Sequence, residues 1–198
     1  MASPGDLNKP SLAAQPPSRP DPHHRESAPS GWILRFAALI PAGGAVLDLA
    51  CGGGRHSRLF LERGHPVTAL DRDLSGLGEL ASQAGLEAVE ADLEDGSAFP
   101  LAERRFAGVI VSRYLYRPLF PTLIDLVSPG GCLVYETFAR GNERFGKPRN
   151  PDHLLQPGEL LEVLRGRLRV VAYEDLVIEQ PRPAAIQRIC AVREAPGG

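Results

Sequence analysis

Three aspartates, each at or near the end of an apolar run, are the residues of this chain best suited to bind a ligand together. Asp48 lies within AVLDLA, Asp71 follows PVTAL and Asp92 follows LEAVEA. Taken singly, each would be a helix cap or a solvated turn residue. If the runs are parallel strands, however, their carboxyl ends meet at one edge of a sheet, where such sheets bind ligands. The pattern therefore predicts a ligand with cationic or hydroxyl groups.

A glycine-rich segment separates the first two aspartates and limits the kind of ligand further. Gly52-Gly53-Gly54 allows a tight turn and a close approach of the backbone to a ligand. A P-loop needs Lys and Ser/Thr after the last glycine, and a dinucleotide loop needs a third spaced glycine where Ser57 stands. A carboxylate at Asp48 would also repel a pyrophosphate. S-adenosylmethionine fits these residues, because it carries a sulfonium and an ammonium group and no phosphate.

The remaining residues of this edge suggest how a nucleoside would be held. Asp71 stands 71 − 48 = 23 residues after Asp48, close to the spacing at which doubly wound folds bind ribose hydroxyls. Asp92 could accept a hydrogen bond from the adenine amino group. Arg72 and Leu93 could cover the two faces of the adenine ring.

The elements that must position these residues alternate between strand and helix, which predicts a doubly wound α/β fold with a parallel sheet. The chain has 198 residues, 43% of them hydrophobic, and a net charge of −2, which suits one domain and gives no overall field for nucleic acid or an anionic membrane. Predicted strands lie at 45–50, 66–70, 86–91, 106–111, 132–138, 168–176 and 184–192. Predicted helices lie at 55–63, 74–84, 119–127 and 158–164.

The first thirty residues differ from the rest, because they contain seven prolines and few large apolar side chains. We expect a flexible arm at residues 1–29 and a single domain at 30–198. The arm lacks the features of a signal or transit peptide, and no run is long enough to span a membrane. Three widely spaced cysteines, without a metal-ligand pattern, favour a reducing compartment, and we expect a cytoplasmic protein without a metal site.

Four segments resemble the successive motifs of class I S-adenosylmethionine-dependent methyltransferases. They are VLDLACGGGRHSRLF (46–60), VTALD (67–71), VEADL (89–93) and SPGGCLVYETF (128–138). The resemblance implies a Rossmann-like, seven-stranded, mostly parallel sheet whose last strand is antiparallel. Cofactor-binding residues are then expected at Asp48, Ala50, Cys51, Gly52, Gly54, Arg55, Asp71, Arg72, Asp92, Leu93, Ser112 and Arg113.

A narrower resemblance is to the small tellurite-resistance type of this family, through GRHS at 54–57, PGEL at 157–160 and a strand ending in YED. Two positions depart from the family pattern. Ala50 stands where the first loop glycine is usual, which is tolerable if its φ stays negative. Ala107 stands where many members have Asp.

The methyl acceptor should lie over the ends of the fourth and fifth strands, where we expect Tyr114 and Glu136 as catalytic residues. Residues 139–156 form a long, basic loop of the kind that often covers a site. Candidate substrate-binding residues are Trp32, Arg35, Tyr116, Arg117, Asn142, Phe145 and Arg149. The alternatives are that the tyrosines pack on the sheet, that Trp32 anchors the domain edge and that the arginines are solvated.

These residues favour methyl transfer to a small molecule by in-line displacement, which needs alignment and exclusion of water more than a dedicated base. An acceptor on RNA or a protein is the first alternative, with the arm and the basic loop as docking surfaces. A non-catalytic cofactor-binding module is the second. Nucleic acid is the less favoured partner, and the oligomeric state is left open.

Overall fold

The computed structural model describes residues 28–195, so the predicted arm lies outside the described residues except for Ala28 and Pro29. This part of the chain forms a seven-stranded sheet flanked by short helices. The strands are β1 (Val46–Leu49), β2 (Val67–Asp71), β3 (Leu86–Glu90), β4 (Phe106–Ser112), β5 (Val127–Phe138), β6 (Arg169–Ile178) and β7 (Ala184–Val192). The α-helices are α1 (Gly31–Phe36), α2 (Arg55–Glu62), α3 (Phe120–Leu126) and α4 (Glu159–Leu164).

The strand order β3-β2-β1-β4-β5-β7-β6 confirms the predicted doubly wound fold. The four pairs β3–β2, β2–β1, β1–β4 and β4–β5 are parallel, whereas β7 is antiparallel to both β5 and β6. The order reverses between β1 and β4, which creates a crevice beyond their carboxyl ends. The glycine-rich segment follows β1 and therefore opens into that crevice.

Apolar side chains cover both faces of the sheet, as the nearly continuous hydrophobic runs predicted. On one face, α1 and α2 contribute Trp32, Phe36 and Phe60 to a cluster with residues of β4, β5 and β7. On the other face, α3 and α4 contribute Leu123 and Leu160 to a larger cluster. The carboxyl edge is thereby held between two packed layers. No helix among residues 28–195 is long and apolar enough to cross a membrane.

The helix predicted at 74–84 is wrong. The chain forms 3₁₀ turns over Leu74–Ser82, interrupted at Gly78, whose φ of 54° and ψ of −132° are not helical. The leucines at 74, 77 and 80 are spaced by three, which matches the three residues per turn of a 3₁₀ helix. Leu77 and Leu80 are accordingly buried beneath the glycine loop.

Strand β5 begins earlier than predicted, since Ser128-Pro129-Gly130-Gly131 continues the strand instead of ending it. Val127 pairs with Phe106, and regular pairing resumes at Cys132 opposite Gly108. Gly130 absorbs the bulge with a φ of 77°. The irregularity lies at the amino end of the strand, far from the ligand-binding edge.

Candidate cofactor site and acceptor cleft

The glycine loop turns through left-handed backbone at two glycines. Gly52 has a φ of 56° and Gly54 a φ of 70°. A Cβ on Gly54 would stand 2.5 Å from Leu80 Cδ2 and 2.7 Å from Leu77 Cδ2, whereas a Cβ on Gly52 would meet nothing within 4 Å. Gly54 is thus required by packing, and Gly52 leaves open space on the crevice side.

Asp48 supports this loop from beneath. Its carboxylate is only 1% exposed, and Oδ2 accepts hydrogen bonds from Ser57 N at 2.8 Å and Ser57 Oγ at 2.6 Å. Burial raises the pKa of Asp48 to about 6, against the opposing effect of the two bonds from Ser57. The side chain positions the start of α2, and its direct contact with a cofactor stays a prediction.

His56 joins the same buried unit to the segment that precedes α1. Its Nε2 accepts a hydrogen bond from Ser30 N at 3.2 Å, and its Nδ1 lies 3.9 Å from Asp48 Oδ1. Burial, together with the positive charges of Arg55 and Arg113, lowers the pKa of His56 to about 3. The ring is therefore neutral at neutral pH. Sequence reasoning gave His56 no role, because its partner lies 26 residues away.

Asp71 ends β2 beside the glycine loop, as predicted. Its Oδ2 accepts from Gly52 N at 2.8 Å and its Oδ1 from Asp73 N at 3.2 Å. Each carboxylate oxygen can accept more than one hydrogen bond, so the half-buried group retains capacity for ribose hydroxyls. The loop and the acid are held in register before any ligand arrives.

Ala50 contradicts the condition placed on it, because its φ is +54°. The tight turn after β1 requires this backbone whatever the residue, and an alanine there bears the strain that a glycine would avoid. Arg113, at the end of β4, also has a positive φ, 58°, and its N–H bonds to Glu136 O at 2.9 Å. Strained residues of this kind cluster at functional sites.

A cavity of about 190 Å³ lies at the end of β3 and is lined by Asp92, Leu93 and Phe99, among others. Asp92 accepts from Glu94 N at 2.9 Å and remains exposed. Arg72 is exposed on the neighbouring turn. These positions are compatible with the adenine contacts predicted for them, which stay predictions.

Tyr114 lies near Glu94 and Asp92, on the side of the small cavity, and its catalytic role stays a prediction. Its hydroxyl is buried beside the carboxylate of Glu94. Burial raises the pKa of Tyr114, as do the negative charges of Glu94 and Asp92. Such a phenol is a poor base. Glu136 instead lines a different cavity, so the structure does not bring the two predicted catalytic residues together.

The main cleft has a volume of about 1010 Å³ and opens beside the glycine loop. A chain of side chains crosses its base, in which Arg55 donates to Ser112 Oγ at 3.1 Å and Ser112 Oγ donates to Glu136 Oε1 at 3.4 Å. Arg55 also donates to Ala28 O at 3.3 Å. The cleft therefore joins the predicted cofactor residues Arg55 and Ser112 to the predicted catalytic residue Glu136.

The loop at 139–156 forms one wall of this cleft, as predicted. Asn142 is buried there and donates to Pro148 O at 3.2 Å, while Phe145 is 39% exposed. Arg144 stacks on the Phe145 ring at 4.7 Å. Of the predicted substrate residues, Asn142 and Phe145 are the two that line the cleft in the described part of the chain.

Two predicted substrate residues on α1 have structural roles instead. Trp32 is 2% exposed, and its Nε1 donates to Ile189 O at 3.3 Å. Arg35 lies over the Trp32 and Phe36 rings and pairs with Glu174 at 3.5 Å. Burial of the large Trp32 ring is favourable because its N–H keeps a hydrogen bond, and this burial anchors α1 to the sheet.

Arg117, another predicted substrate residue, is bonded within the protein. Its guanidinium bonds to both oxygens of Glu159, at 2.6 and 2.9 Å, and to Asp152 O and Leu154 O. It therefore fastens the end of the 139–156 loop to α4. Tyr116 packs against the core beneath α3, and Arg149 is exposed outside the cleft lining.

The opposite wall of the cleft was missed by sequence reasoning. It consists of the turn between β6 and β7, including Gln180 and Arg182, together with Arg188 on β7. Because β7 is antiparallel to β5, with Phe138 opposite Ile186, this turn reaches the carboxyl edge of the parallel strands. The implied antiparallel strand was the signal that could have located it.

These features define the class of protein. A doubly wound sheet carries an acid-rimmed glycine loop at its switch point, next to a cleft large enough for a small molecule. No group of three or more metal-ligating side chains is found among residues 28–195.

Comparisons with known proteins find similarity to methyltransferases over part of the chain. The family described as "Methyltransferase domain" matches residues 46–131. Malonyl-[acyl-carrier protein] O-methyltransferase of Pseudescherichia vulneris is 38% identical over 105 residues, which cover 50% of this chain and 40% of that protein. The chain thus spans about two fifths of the length of this relative.

Solved structures share the fold. TehB from Haemophilus influenzae superimposes with a TM-score of 0.63 at 17% identity, covering 81% of this chain and 61% of that one. The 1,6-didemethyltoxoflavin-N1-methyltransferase of Burkholderia thailandensis, with bound S-adenosylhomocysteine, gives 0.60 at 21% identity, covering 81% and 76%. The chain therefore shares the fold of these two proteins, and its residues 46–131 match the methyltransferase domain.

Proposed function

We propose that this chain transfers a methyl group from S-adenosylmethionine to a small-molecule acceptor. The main support is that the proposed cofactor site and the acceptor cleft are connected. Arg55 and Ser112 link the glycine loop to Glu136 at the base of a cleft of about 1010 Å³. That volume suits a small molecule. The three cysteines are buried and form no disulfide within the described residues, which suits a reducing compartment, and we propose the cytoplasm.

The described residues fit the cofactor at both ends. Gly52 leaves open space beside Asp71, where a ribose could approach. The small cavity lined by Asp92, Leu93 and Phe99 offers apolar surface and a carboxylate for an adenine. At the other end, Arg55 offers a positive charge for a carboxylate. Asp71, Gly52, Asp92 and Arg55 would hold the cofactor.

The chain contributes alignment more than acid-base chemistry. When bound, the cofactor would supply an electrophilic methyl carbon for the acceptor's lone pair, and Glu136 or water would take up any proton that the acceptor releases. The 139–156 loop and the β6–β7 turn enclose the acceptor and limit water. Glu136 orients the acceptor at the base of the cleft.

Titration calorimetry with S-adenosylmethionine and S-adenosylhomocysteine tests the cofactor site. Asp71→Asn keeps an oxygen for Gly52 N–H but removes the charge, so we expect both ligands to bind more weakly by about 1.5–3 kcal/mol. Asp125→Asn, which changes a distant carboxylate paired with Arg167, is the matched control. Failure of both ligands to bind the folded wild-type protein would contradict the proposal.

Transfer of a radiolabelled methyl group to a cell extract, separated by size, then tests the acceptor class. Label in small molecules supports the proposal. Label in a protein or RNA fraction would favour a macromolecular acceptor, a reading that also accords with the name of the relative acting on malonyl-[acyl-carrier protein]. Binding without transfer to any fraction would indicate a non-catalytic module.

A further inference from the structure

We propose that the acceptor is a bipolar small molecule, with an amine or hydroxyl at its reacting end, an anionic group at its other end and an apolar body between. The inference rests on the proposed function, because the reacting end is defined by the cofactor edge of the sheet. It follows from the uneven distribution of charge and apolar surface along the cleft.

The inner end of the cleft offers a carboxylate as a hydrogen-bond acceptor. Glu136 is the one carboxylate among the described residues that line it, and it is half-buried at the end of β5. Ser112 Oγ donates to Oε1 at 3.4 Å, which leaves Glu136 able to accept further hydrogen bonds. Such a group attracts an N–H or O–H donor and repels an anion. The atom that reaches this end is therefore the nitrogen or oxygen of an amine or hydroxyl.

The outer end of the cleft carries positive charge. Arg144 and Lys147 on the 139–156 loop and Arg182 on the β6–β7 turn are exposed and line the cleft from opposite walls. The carboxylates of the same segments, Glu143 and Glu179, lie outside the lining. Three cations facing one opening favour a carboxylate or a similar anion there.

Three arginines of the lining do not belong to this outer group. Arg113 follows β4, and its N–H donates to Glu136 O at 2.9 Å, at the inner end. Arg188 pairs with Glu174, to which its Nε donates at 2.7 Å, and its guanidinium lies over Trp32 at 4.7 Å. Arg55 is bonded to Ala28 O and Ser112 Oγ at the base. The two ends therefore differ in their carboxylates: the mouth has three cations and no carboxylate among the described residues of the lining, whereas the inner end combines its arginines with Glu136.

The middle of the cleft is apolar. Phe138 and Ile186 come from the sheet, Phe145 from the loop, and Ile178 and Pro181 from the β6–β7 hairpin. A single aromatic ring or a short hydrocarbon chain between these side chains would place its two polar ends at opposite ends of the cleft.

Three related probes test the inference on protein saturated with S-adenosylhomocysteine. Para-aminomethylbenzoate has both polar ends, para-methylbenzylamine has only the amine, and para-toluate has only the carboxylate. We expect the first to bind at least about tenfold more tightly than either of the others. Equal affinities, or no binding of the bipolar probe at millimolar concentration, would overturn the inference.

Charge removal at the mouth tests the outer end. The variant that combines Arg144→Gln, Lys147→Gln and Arg182→Gln should bind the bipolar probe about tenfold more weakly, relative to para-methylbenzylamine, than the wild type does. The reason is that three screened ion pairs contribute a few tenths of a kcal/mol each. The matched variant Arg58→Gln, Arg63→Gln and Arg165→Gln removes three exposed arginines elsewhere and should retain it. If the two variants behave alike, bulk charge and not the cleft binds the anion.

Glu136→Gln tests the inner end and separates this inference from the proposed function. We expect unchanged affinity for S-adenosylhomocysteine and at least about tenfold weaker binding of the amine-bearing probes. Loss of S-adenosylhomocysteine binding would instead make Glu136 a cofactor ligand and overturn the inner end. If the wild-type protein fails to bind S-adenosylhomocysteine at all, the proposed function itself fails.

Discussion

The two ends of the crevice are built differently. At the glycine loop, the polar side chains of Asp48, His56 and Asp71 are bonded to backbone N–H groups, and the first two are buried. Around the acceptor cleft, the charged side chains at the mouth, such as Arg144 and Arg182, are exposed on connecting segments. The cofactor end is therefore preorganised by the fold, whereas the acceptor end is shaped by residues that can change without disturbing the core.

This contrast predicts different responses to substitution and to pH. Changes at the cofactor end should alter the free energy of unfolding, because ligand-facing groups there also support the chain. Changes at the mouth of the cleft should alter acceptor affinity and leave the fold intact. The three predictions below test the first half of that contrast, and the charge variants described above test the second.

Acid should destabilise the cofactor end through His56. The folded-state pKa of His56 is about 3, below its ordinary value of 6.5, so the unfolded chain takes up the proton first and stability falls as the pH drops below 6.5. The raised pKa of Asp48, about 6, acts in the opposite direction between about pH 6 and 4, over a narrower range. The net effect of the unit is a loss of stability in acid.

In the wild type, the protonation of His56 lowers the free energy of unfolding between about pH 7 and pH 4.5. His56→Gln removes this contribution, so its free energy of unfolding should fall by about 2–3 kcal/mol less over the same pH range. The glutamine amide can still accept from Ser30 N. Guanidinium denaturation at the two pH values measures the difference, and His153→Gln, which changes an exposed histidine, is the control. Parallel pH profiles of His56→Gln and wild type would show that the buried ring is not the source.

Gly54→Ala should destabilise the loop by packing as well as by backbone strain. The added Cβ meets buried Leu77 and Leu80 at less than 3 Å, and the φ of 70° is unfavourable for alanine. We expect the free energy of unfolding to fall by about 2–3 kcal/mol, with weaker cofactor binding.

Gly130→Ala is the matched control for this change, because Gly130 has a φ of 77° but open space around its Cβ position. Its free energy of unfolding should fall by about 1–2 kcal/mol, the cost of backbone strain alone, as measured by chemical denaturation. Equal losses in the two variants would mean that the leucines move aside at no cost.

The sequence predicts the cofactor end better than the acceptor end, for a physical reason. Parallel strands must end at one edge, so Asp71 and the glycine loop could be placed together from order alone. The partners of Trp32 and Arg117, by contrast, lie 157 and as many as 42 residues away. Whether such side chains face solvent, core or ligand depends on tertiary contacts that spacing does not contain.

Backbone conformation was the other limit on prediction. Ala50 has a φ of +54° because of the turn that joins β1 to the loop. A glycine at this position would have indicated left-handed backbone, whereas an alanine does not. The β6–β7 turn was missed because its position depends on β7 running antiparallel to β5. That direction was implied by the family resemblance and was not used to locate the second wall of the cleft.

Ala50→Gly should give the smallest effect, and in the opposite direction. Left-handed backbone costs alanine about 1–2 kcal/mol, while glycine adds about 0.5–1 kcal/mol of backbone entropy loss on folding. We therefore expect a gain in unfolding free energy of about 0.5–1 kcal/mol. Cofactor affinity should be unchanged, because the bond from Gly52 N to Asp71 does not involve the Ala50 side chain.

Ala81→Gly provides the comparison, since it replaces an exposed alanine whose φ is not positive. It should lose about 0.5–1 kcal/mol through backbone entropy alone. Chemical denaturation of both variants gives the sign of each change. Destabilisation of Ala50→Gly to the same extent would mean that residue 50 is unstrained, and the cofactor end would then be less rigidly constrained by the fold than its buried hydrogen bonds indicate.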